Sequence, residues 1–321
     1  MAYLKHGIFL LLFAVMSTAV AQSRTAFPSK PIELVIPYPP GGPNDVIGRM
    51  LGEQMAKTLG QSVVVRNLPG AGGNVATASV SRAKPDGYTL LLPAMAYAVN
   101  PSIFKDVNYQ FEDFQPISMI VRGPLVLVAH PSLGFRTVDD LIAAAKAQPG
   151  KLEYASGGVG TSLHLAGELF KSTANIDLLH VPYKGTGELM PDLLAGRVSA
   201  LFSSPLTVLQ QIKQGKLIAL GTTGDKPMDE WGGLRPISET VPGYEMFGWY
   251  SLMAPAGVPR EVVQTLNAAV QAAQRSPDFL EKMATLGMET VETSPEEAET
   301  YINAEIAKWA SVVEQARISA N

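Results

Sequence analysis

The chain contains no cysteine. Disulfides, thiolate metal sites and cysteine nucleophiles are therefore excluded. Histidine is almost as scarce, with 4 in 321 residues. No His-Glu-x-x-His spacing occurs, so a zinc-hydrolase ligand set is missing. No excess of positive charge exists either. A net charge of −4 and a pI near 5.7 leave no basic surface for nucleic acid or an anionic membrane. No glycine loop is followed by Gly-Lys-Ser/Thr, and none fits Gly-x-Gly-x-x-Gly with a suitably spaced acid, so no nucleotide is expected. A Gly-x-Ser-x-Gly elbow is absent. Ser81-Arg-Ala-Lys84 has none of the Lys-Thr-Gly or Ser-Asp-Asn companions of a penicillin-interacting enzyme and reads as chance. Beyond the N-terminus no apolar run approaches the ~20 residues that a membrane span needs.

The N-terminus is the exception. Lys5 and His6 precede an apolar run over residues 8–16, and Ala19-Val20-Ala21 forms an Ala-x-Ala cleavage site. Residues 1–21 therefore read as a cleaved secretory signal peptide. Position 22 is Gln, not Cys, which argues against a lipoprotein. A soluble, exported, periplasmic protein is expected. Its length corresponds to about two domains, enough for a proper core.

What is present is a repeated strand–glycine loop–helix unit. Residues 32–36 form an apolar, β-branched strand ended by Pro37. Gly41-Gly42-Pro43 then interrupts, and Asn44 or Asp45 can cap the helix that follows. Its apolar stripe is Val46, Ile47, Met50, Leu51, Met55 and Leu59, with Gly60 at the left-handed C′ position. A second strand (61–66), a second loop (Pro69-Gly-Ala-Gly-Gly-Asn74) and a short helix (75–83) repeat the unit. Such turns aim backbone N–H groups and the positive end of a helix dipole at one space, which suits an anion. Two loops in succession can hold one carboxylate from two sides.

Further along, strand and helix signals alternate, which argues for parallel α/β sheets. Residues 94–101 read as an exposed apolar loop, and strands 117–120 and 125–129 are split at residues 122–124. Thr137 with Asp140 reads as a capping box. A third glycine loop, Ser156-Gly-Gly-Val-Gly-Thr-Ser162, opens another helix, and a fourth lies at Tyr183-Lys-Gly-Thr-Gly187. Residues 225–250 show weak periodicity, residues 251–254 read as a strand, and Ser294-Pro-Glu-Glu297 starts a last long helix.

Taken in order, several of these segments spell out a family. They are Ile36-Pro-Tyr-Pro-Pro-Gly-Gly-Pro-Asn-Asp45, Asn67-Leu-Pro-Gly-Ala-Gly-Gly73, Lys84-Pro-Asp-Gly-Tyr-Thr-Leu90, Gly160-Thr-Ser-Leu-His-Leu-Ala-Gly-Glu168 and His180-Val-Pro-Tyr-Lys-Gly185. Tyr154-Ala-Ser156, Ala254-Pro-Ala-Gly257 and Lys308-Trp309 complete the series. The chain resembles the Bug/TctC family, the extracytoplasmic solute receptors of tripartite tricarboxylate transporters, from about residue 28 to residue 318. The resemblance implies an α/β, two-lobed type II periplasmic-binding-protein fold with the ligand cleft between lobes. Lobe one is expected over 24–123 plus 223–321 and lobe two over 124–222. The expected partners are a small carboxylate (dicarboxylate, tricarboxylate or aromatic) and the membrane permease subunits of such a transporter. No nucleic acid, cofactor, metal or catalytic residue is expected, and the receptor is expected to be a monomer.

Residue by residue, the resemblance assigns carboxylate binding to Tyr38, Pro40, Gly41, Gly42, Ala71, Gly72 and Gly73, with Asp45 at the mouth. Ser156, Thr161 and Ser162 would supply hydroxyls from lobe two, beside Lys184, Phe202 and Ser203. Three positions depart from the family pattern. Pro40 stands where Ala is usual and removes a backbone donor. Ser199 stands where Asp is usual. Tyr97 replaces a small or polar residue and favours a bulkier ligand.

Plainer roles stand beside these. Asp45 can pair with Arg49 at i, i+4. Tyr97, Phe202 and Trp249 can be core instead of cleft, and Lys184 can be solvated. His164 and Glu168, four apart on one helix face, read as packing residues rather than metal ligands. Two other functions share the pattern: a ligand receptor feeding a two-component sensor, and a secreted α/β hydrolase, for which no nucleophile or acid–base pair is recognisable.

Overall fold

A computed structural model describes residues 27–183 and 186–319. The expected signal peptide and Lys184 lie outside the described residues.

The first sheet starts with β1 (Ile32–Ile36), buried at four of its five positions. Helix α1 (Pro43–Leu59) follows, ended by Gly60 at φ 65° with its N–H on the Ala56 carbonyl. Next come β2 (Val63–Asn67), α2 (Asn74–Ser81), β3 (Thr89–Leu91), α3 (Ala96–Ile103) and β4 (Phe114–Pro124). The chain then enters a second sheet with β5 (Val126–Ala129), α4 (Val138–Ala147), β6 (Glu153–Ser156), α5 (Ser162–Ala174), β7 (Leu179–Pro182), α6 (Thr186–Leu194), β8 (Ala200–Ser203), α7 (Pro205–Lys213) and β9 (Ile218–Thr222). It returns through β10 (Phe247–Pro255), α8 (Arg260–Gln274), α9 (Pro277–Thr285), β11 (Glu289–Thr290) and α10 (Pro295–Ala316).

The strand order is β11-β4-β10-β3-β1-β2 in the first sheet and β7-β6-β8-β5-β9 in the second. Both sheets are mixed, not parallel. β1 runs parallel to β2 and β3, and β6 parallel to β7 and β8. The strands that enter and leave a lobe are antiparallel: β10 against β3 and β4, and β5 against β8 and β9. A chain that crosses out of one sheet and comes back beside its exit point must reverse direction, which strand–helix alternation does not reveal.

Two other readings are corrected. Residues 94–101 are not a loop, because α3 covers most of them, with Tyr97, Ala98, Val99 and Asn100 buried. Pro101 lies inside this short helix, where its missing N–H removes one bond of the ladder. β4 runs unbroken to Pro124, and β10 starts at Phe247 rather than 251, because the two pair along their full lengths.

The crossing points are hydrogen-bonded to each other. Leu125 N–H donates to Thr223 Oγ1 (2.8 Å), Thr223 N–H donates to the Leu125 carbonyl (2.9 Å), and Thr223 Oγ1–H donates to the Met246 carbonyl (2.7 Å). The segment between them, placed by sequence on lobe one, packs on the second sheet. Thr222 bridges Pro236, and Tyr244 lies against Phe170 and Phe202 with its hydroxyl donating to the Ala166 carbonyl at 3.1 Å. Local periodicity is weak there because the segment is held by these tertiary contacts rather than by its own ladder.

Helix α10 ties both lobes together, touching α3, β4 and α5 with Trp309 fully buried. Glu305 accepts from both Trp249 Nε1 and Trp309 Nε1 at 2.9 Å. The helix begins with a capping box, Ser294 and Glu297 each bonding the other's backbone N–H.

Candidate functional site

A cavity of about 470 Å³ lies between the two sheets. Its floor is Gly123, Pro124 and Leu125, the crossing between lobes. Three helices present their N-terminal residues to it: Pro43 and Asn44 of α1, Ser162 and Leu163 of α5, and Pro205 and Thr207 of α7. Unpaired N–H groups at such ends carry partial positive charge, so their convergence favours an anion.

The α1 end is built by a network around Asp45. Gly42, with extended backbone, is the N-cap and no side chain caps the helix, so neither Asn44 nor Asp45 holds the cap position. Asp45 is the third residue of the helix and accepts from Gly41 N–H, Arg49 Nε and Asn67 Nδ2, each at 3.0 Å. Asn67 Nδ2 also donates to the Tyr38 carbonyl (3.0 Å). The Arg49 hydrogen bond is the largest influence holding the Asp45 carboxyl down at about 2. Asp45 therefore fixes the shape of the first loop and pairs with Arg49. It does not line the cavity.

Asn44 was missed. It is 8% exposed, it lines the cavity, and its Nδ2 donor has no partner among the described residues. Buried amide donors are nearly always satisfied, so an orphan facing a cavity calls for an acceptor there. The only sequence signal was its place beside a helix start. Beside it stands Tyr38, whose phenol burial pushes up to about 12, so it stays protonated.

On the facing lobe, Thr161 caps α5, accepting from His164 N–H at 3.4 Å and donating to the Gly158 carbonyl at 2.8 Å. His164 Nδ1 accepts from Gly160 N–H (3.1 Å). The rings of His164 and His180 stack at 4.0 Å, and His180 stacks on Tyr154 at 4.9 Å. His180 Nε2 lies 2.7 Å from Ser156 Oγ, which also accepts from Gly158 N–H (3.1 Å). Burial is the main reason that His164 is pushed down to about 3 and His180 to about 4. The third glycine loop is thus held by a neutral histidine pair. Glu168 accepts from Tyr154 Oη (2.6 Å) and Lys171 Nζ (2.9 Å), so His164 and Glu168 each have protein partners.

Of the residues singled out by sequence, Tyr38, Gly72, Thr161, Ser162, Ser203 and Trp249 line the cavity. Pro40, Gly41, Gly42, Ala71 and Gly73 form the two loops without lining it. Gly73 N–H is already used, donating to the Gly70 carbonyl (2.9 Å). Tyr97 is core, packed in an aromatic cluster with Tyr109, Phe111 and Phe114. Phe202 is fully buried against Phe170 and Tyr244. Ser156 is fully buried beneath its loop. Met95, Tyr250, Leu286 and Met288 line the cavity without having been expected. They come from three separate parts of the chain, with no local motif.

The two lobes touch around the cavity. A Cβ on Gly160 would collide with Ile103 Cδ1 of the opposite lobe, and one on Gly287 would lie 3.0 Å from Pro205 Cγ.

Two mixed sheets joined by paired crossings around one cleft define a two-lobed α/β binding-protein fold. Residues 47–318 match the tripartite tricarboxylate transporter family receptor pattern, and the chain belongs to that family. It is 35% identical over 313 residues to protein BugT of Bordetella pertussis, covering 96% of this chain and 95% of that one. Among solved structures, the periplasmic binding protein BugD superposes with a TM-score of 0.78 at 34% identity, covering 91% of this chain and 99% of its own. An R. palustris protein with adipate gives 0.81 at 32%, covering 91% and 99%. MatC from Rhodopseudomonas palustris, with bound malate, gives 0.77 at 27%, covering 89% and 100%.

Proposed function

We propose that this protein captures a small organic carboxylate in the interlobe cleft and passes it to membrane permease subunits. The carrying observation is the convergence of the N-termini of α1, α5 and α7 on one cavity. The relatives with adipate and malate support the ligand class. In this reading Tyr38, Gly72, Thr161, Ser162 and Ser203 touch the ligand. Pro40, Gly41, Gly42, Asp45, Ala71 and Gly73 shape the lobe-one loops, and Ser156 shapes the loop opposite. Among the described residues, lobe one is 27–123 with the part of the chain from β10 onwards, lobe two lies within 124–222, and the segment 225–245 accompanies lobe two. The lobes close about the Leu125–Thr223 pairing, and the closed form is what the permease recognises. The protein acts as a monomer in the periplasm after removal of residues 1–21, and it catalyses no reaction.

A thermal-shift screen of refolded, ligand-stripped protein tests this. A ligand that binds only the folded state stabilises it by about 2.7 kcal/mol at a hundredfold excess over Kd. At least one of the mono-, di-, tri- or aromatic carboxylates is expected to raise Tm. No shift with any carboxylate overturns the reading.

A further inference from the structure

The anion-favouring helix ends do not say what the rest of the ligand is, but the walls of the cavity do. Between the helix ends stand Met95, Leu125, Val159, Leu163, Leu286 and Met288, with the fully buried Trp249 behind. Among the described residues no Lys, Arg, His, Asp or Glu lines the cavity. Its only phenols, Tyr38 and Tyr250, are both held protonated by burial. The volume, about 470 Å³ with the lobes in contact, falls among clefts of roughly 300–1,000 Å³ that enclose drug-sized molecules. A four-carbon diacid would leave most of such a space empty.

The lobe-one side carries a donor in search of an acceptor. Asn44 is more than nine-tenths buried, lines the cavity and has an Nδ2 without a partner among the described residues, at the second residue of the 17-residue helix α1. An amide N–H beside a helix N-terminus matches one carboxylate oxygen. The hydroxyls on the other lobe, Ser162, Ser203 and Thr207, are neutral and can donate or accept. The site is thus asymmetric, with donors at one end, hydroxyls at the other and apolar surface between.

We propose that the cleft selects a carboxylate with one anionic end and a bulky apolar body, aromatic or alicyclic, and that Asn44 Nδ2 binds its carboxylate. This rests on the carboxylate-receptor reading above and narrows it.

The test is calorimetric titration of ligand-stripped protein with 1-naphthoate, benzoate, adipate and malate, repeated on Asn44→Leu and Asn44→Asp. Trp249, in the cavity wall, supplies a second readout through its fluorescence. At least one of the two aromatic acids is expected to bind tenfold or more tighter than adipate and malate. Asn44→Leu should weaken that acid at least tenfold without lowering the Tm of the unliganded protein, because Nδ2 has no protein bond to lose. Asn44→Asp should weaken it further while sparing the corresponding neutral carboxamide. Adipate or malate binding tightest overturns the ligand class and leaves the carboxylate-receptor reading standing. Unchanged affinity in Asn44→Leu, or a large fall in its unliganded Tm, overturns the role of Asn44. Failure of all four acids, together with every other carboxylate of the thermal-shift screen, overturns the receptor reading itself.

Discussion

Each lobe presents a glycine loop and a helix N-terminus to the cleft, but the two are held differently. In lobe one the first loop is tied by a carboxylate, Asp45, which gathers Gly41, Arg49 and Asn67. In lobe two the loop is tied by neutral aromatic rings, with Tyr154, His180 and His164 stacked beneath it. The helices approach their sheets differently as well. Gly48 on α1 lies against the tips of Ile36 and Leu92, whereas Gly167 on α5 lies against the ring of Tyr154. An anchor of charge and aliphatic tips yields locally. A stack of rings under a helix does not, because moving one ring moves its neighbours.

Adding one methyl to each helix should break that symmetry most strongly. Gly167→Ala places a Cβ against three atoms of the Tyr154 ring, which is fully buried and bonded to Glu168. A loss of about 3 kcal/mol is expected, at the upper end for overpacking. Gly48→Ala meets Ile36 Cδ1 and Leu92 Cδ2, which can rotate away. The better helix propensity of alanine offsets part of the cost in both variants and leaves about 1 kcal/mol for Gly48→Ala. Urea denaturation of both variants measures the difference, and equal losses would show that ring rigidity is not what separates the lobes.

Acidification should separate them next. His164 and His180 are pushed down to about 3 and 4, mainly by burial, with Lys171 also disfavouring their charged forms and Glu168 partly restoring that of His180. The unfolded chain takes up these protons near pH 6.5, so stability is complete above that value and falls as pH drops towards 4. Between pH 7 and 5 the loss is about 2 kcal/mol from His164, with a smaller share from the better solvated His180. Asp45, held at about 2, loses its contribution only below the ordinary value of 3.8. Hydrogen exchange at pH 7 and 5 should therefore show the loop at residues 157–162 opening while the loop at 38–45 keeps its protection. Equal opening of both loops would contradict the contrast.

How much of this was legible in sequence follows the same division between local and tertiary causes. The loops, the left-handed Gly60, the capping boxes at Thr137 and Ser294 and the family itself rest on short segments, and sequence shows such segments directly. The antiparallel pairing of β4 with β10 and the placement of residues 225–245 depend on partners more than a hundred or several tens of residues away. The site divides likewise. Loop residues named by motif are present, but more than half of them build the loops and leave the cavity to others. Tyr97 reads equally well as core or cleft in sequence, and only the ring cluster with Tyr109, Phe111 and Phe114 decides. Asn44 and Asp45 are adjacent and both polar. A helix turns about 100° between them, so one side chain faces the cavity and the other the loop.

That last pair gives the finest test of how lobe one is held. Asp45→Asn keeps an amide oxygen for Gly41 N–H but removes the charge that pairs with Arg49, whose side chain is 54% exposed. An exposed partner recovers hydration when released, so the loss should be small, about 1 kcal/mol. It should also be the same at pH 7 and pH 5, because Asp45 is ionised at both. Urea denaturation at the two values measures it. A loss that shrinks at pH 5 would mean that the Asp45 carboxyl takes up its proton near that pH, above its ordinary value of 3.8. The network around it would then be too weak to set the shape of the loop, and lobe one would be held by its strands and helix alone.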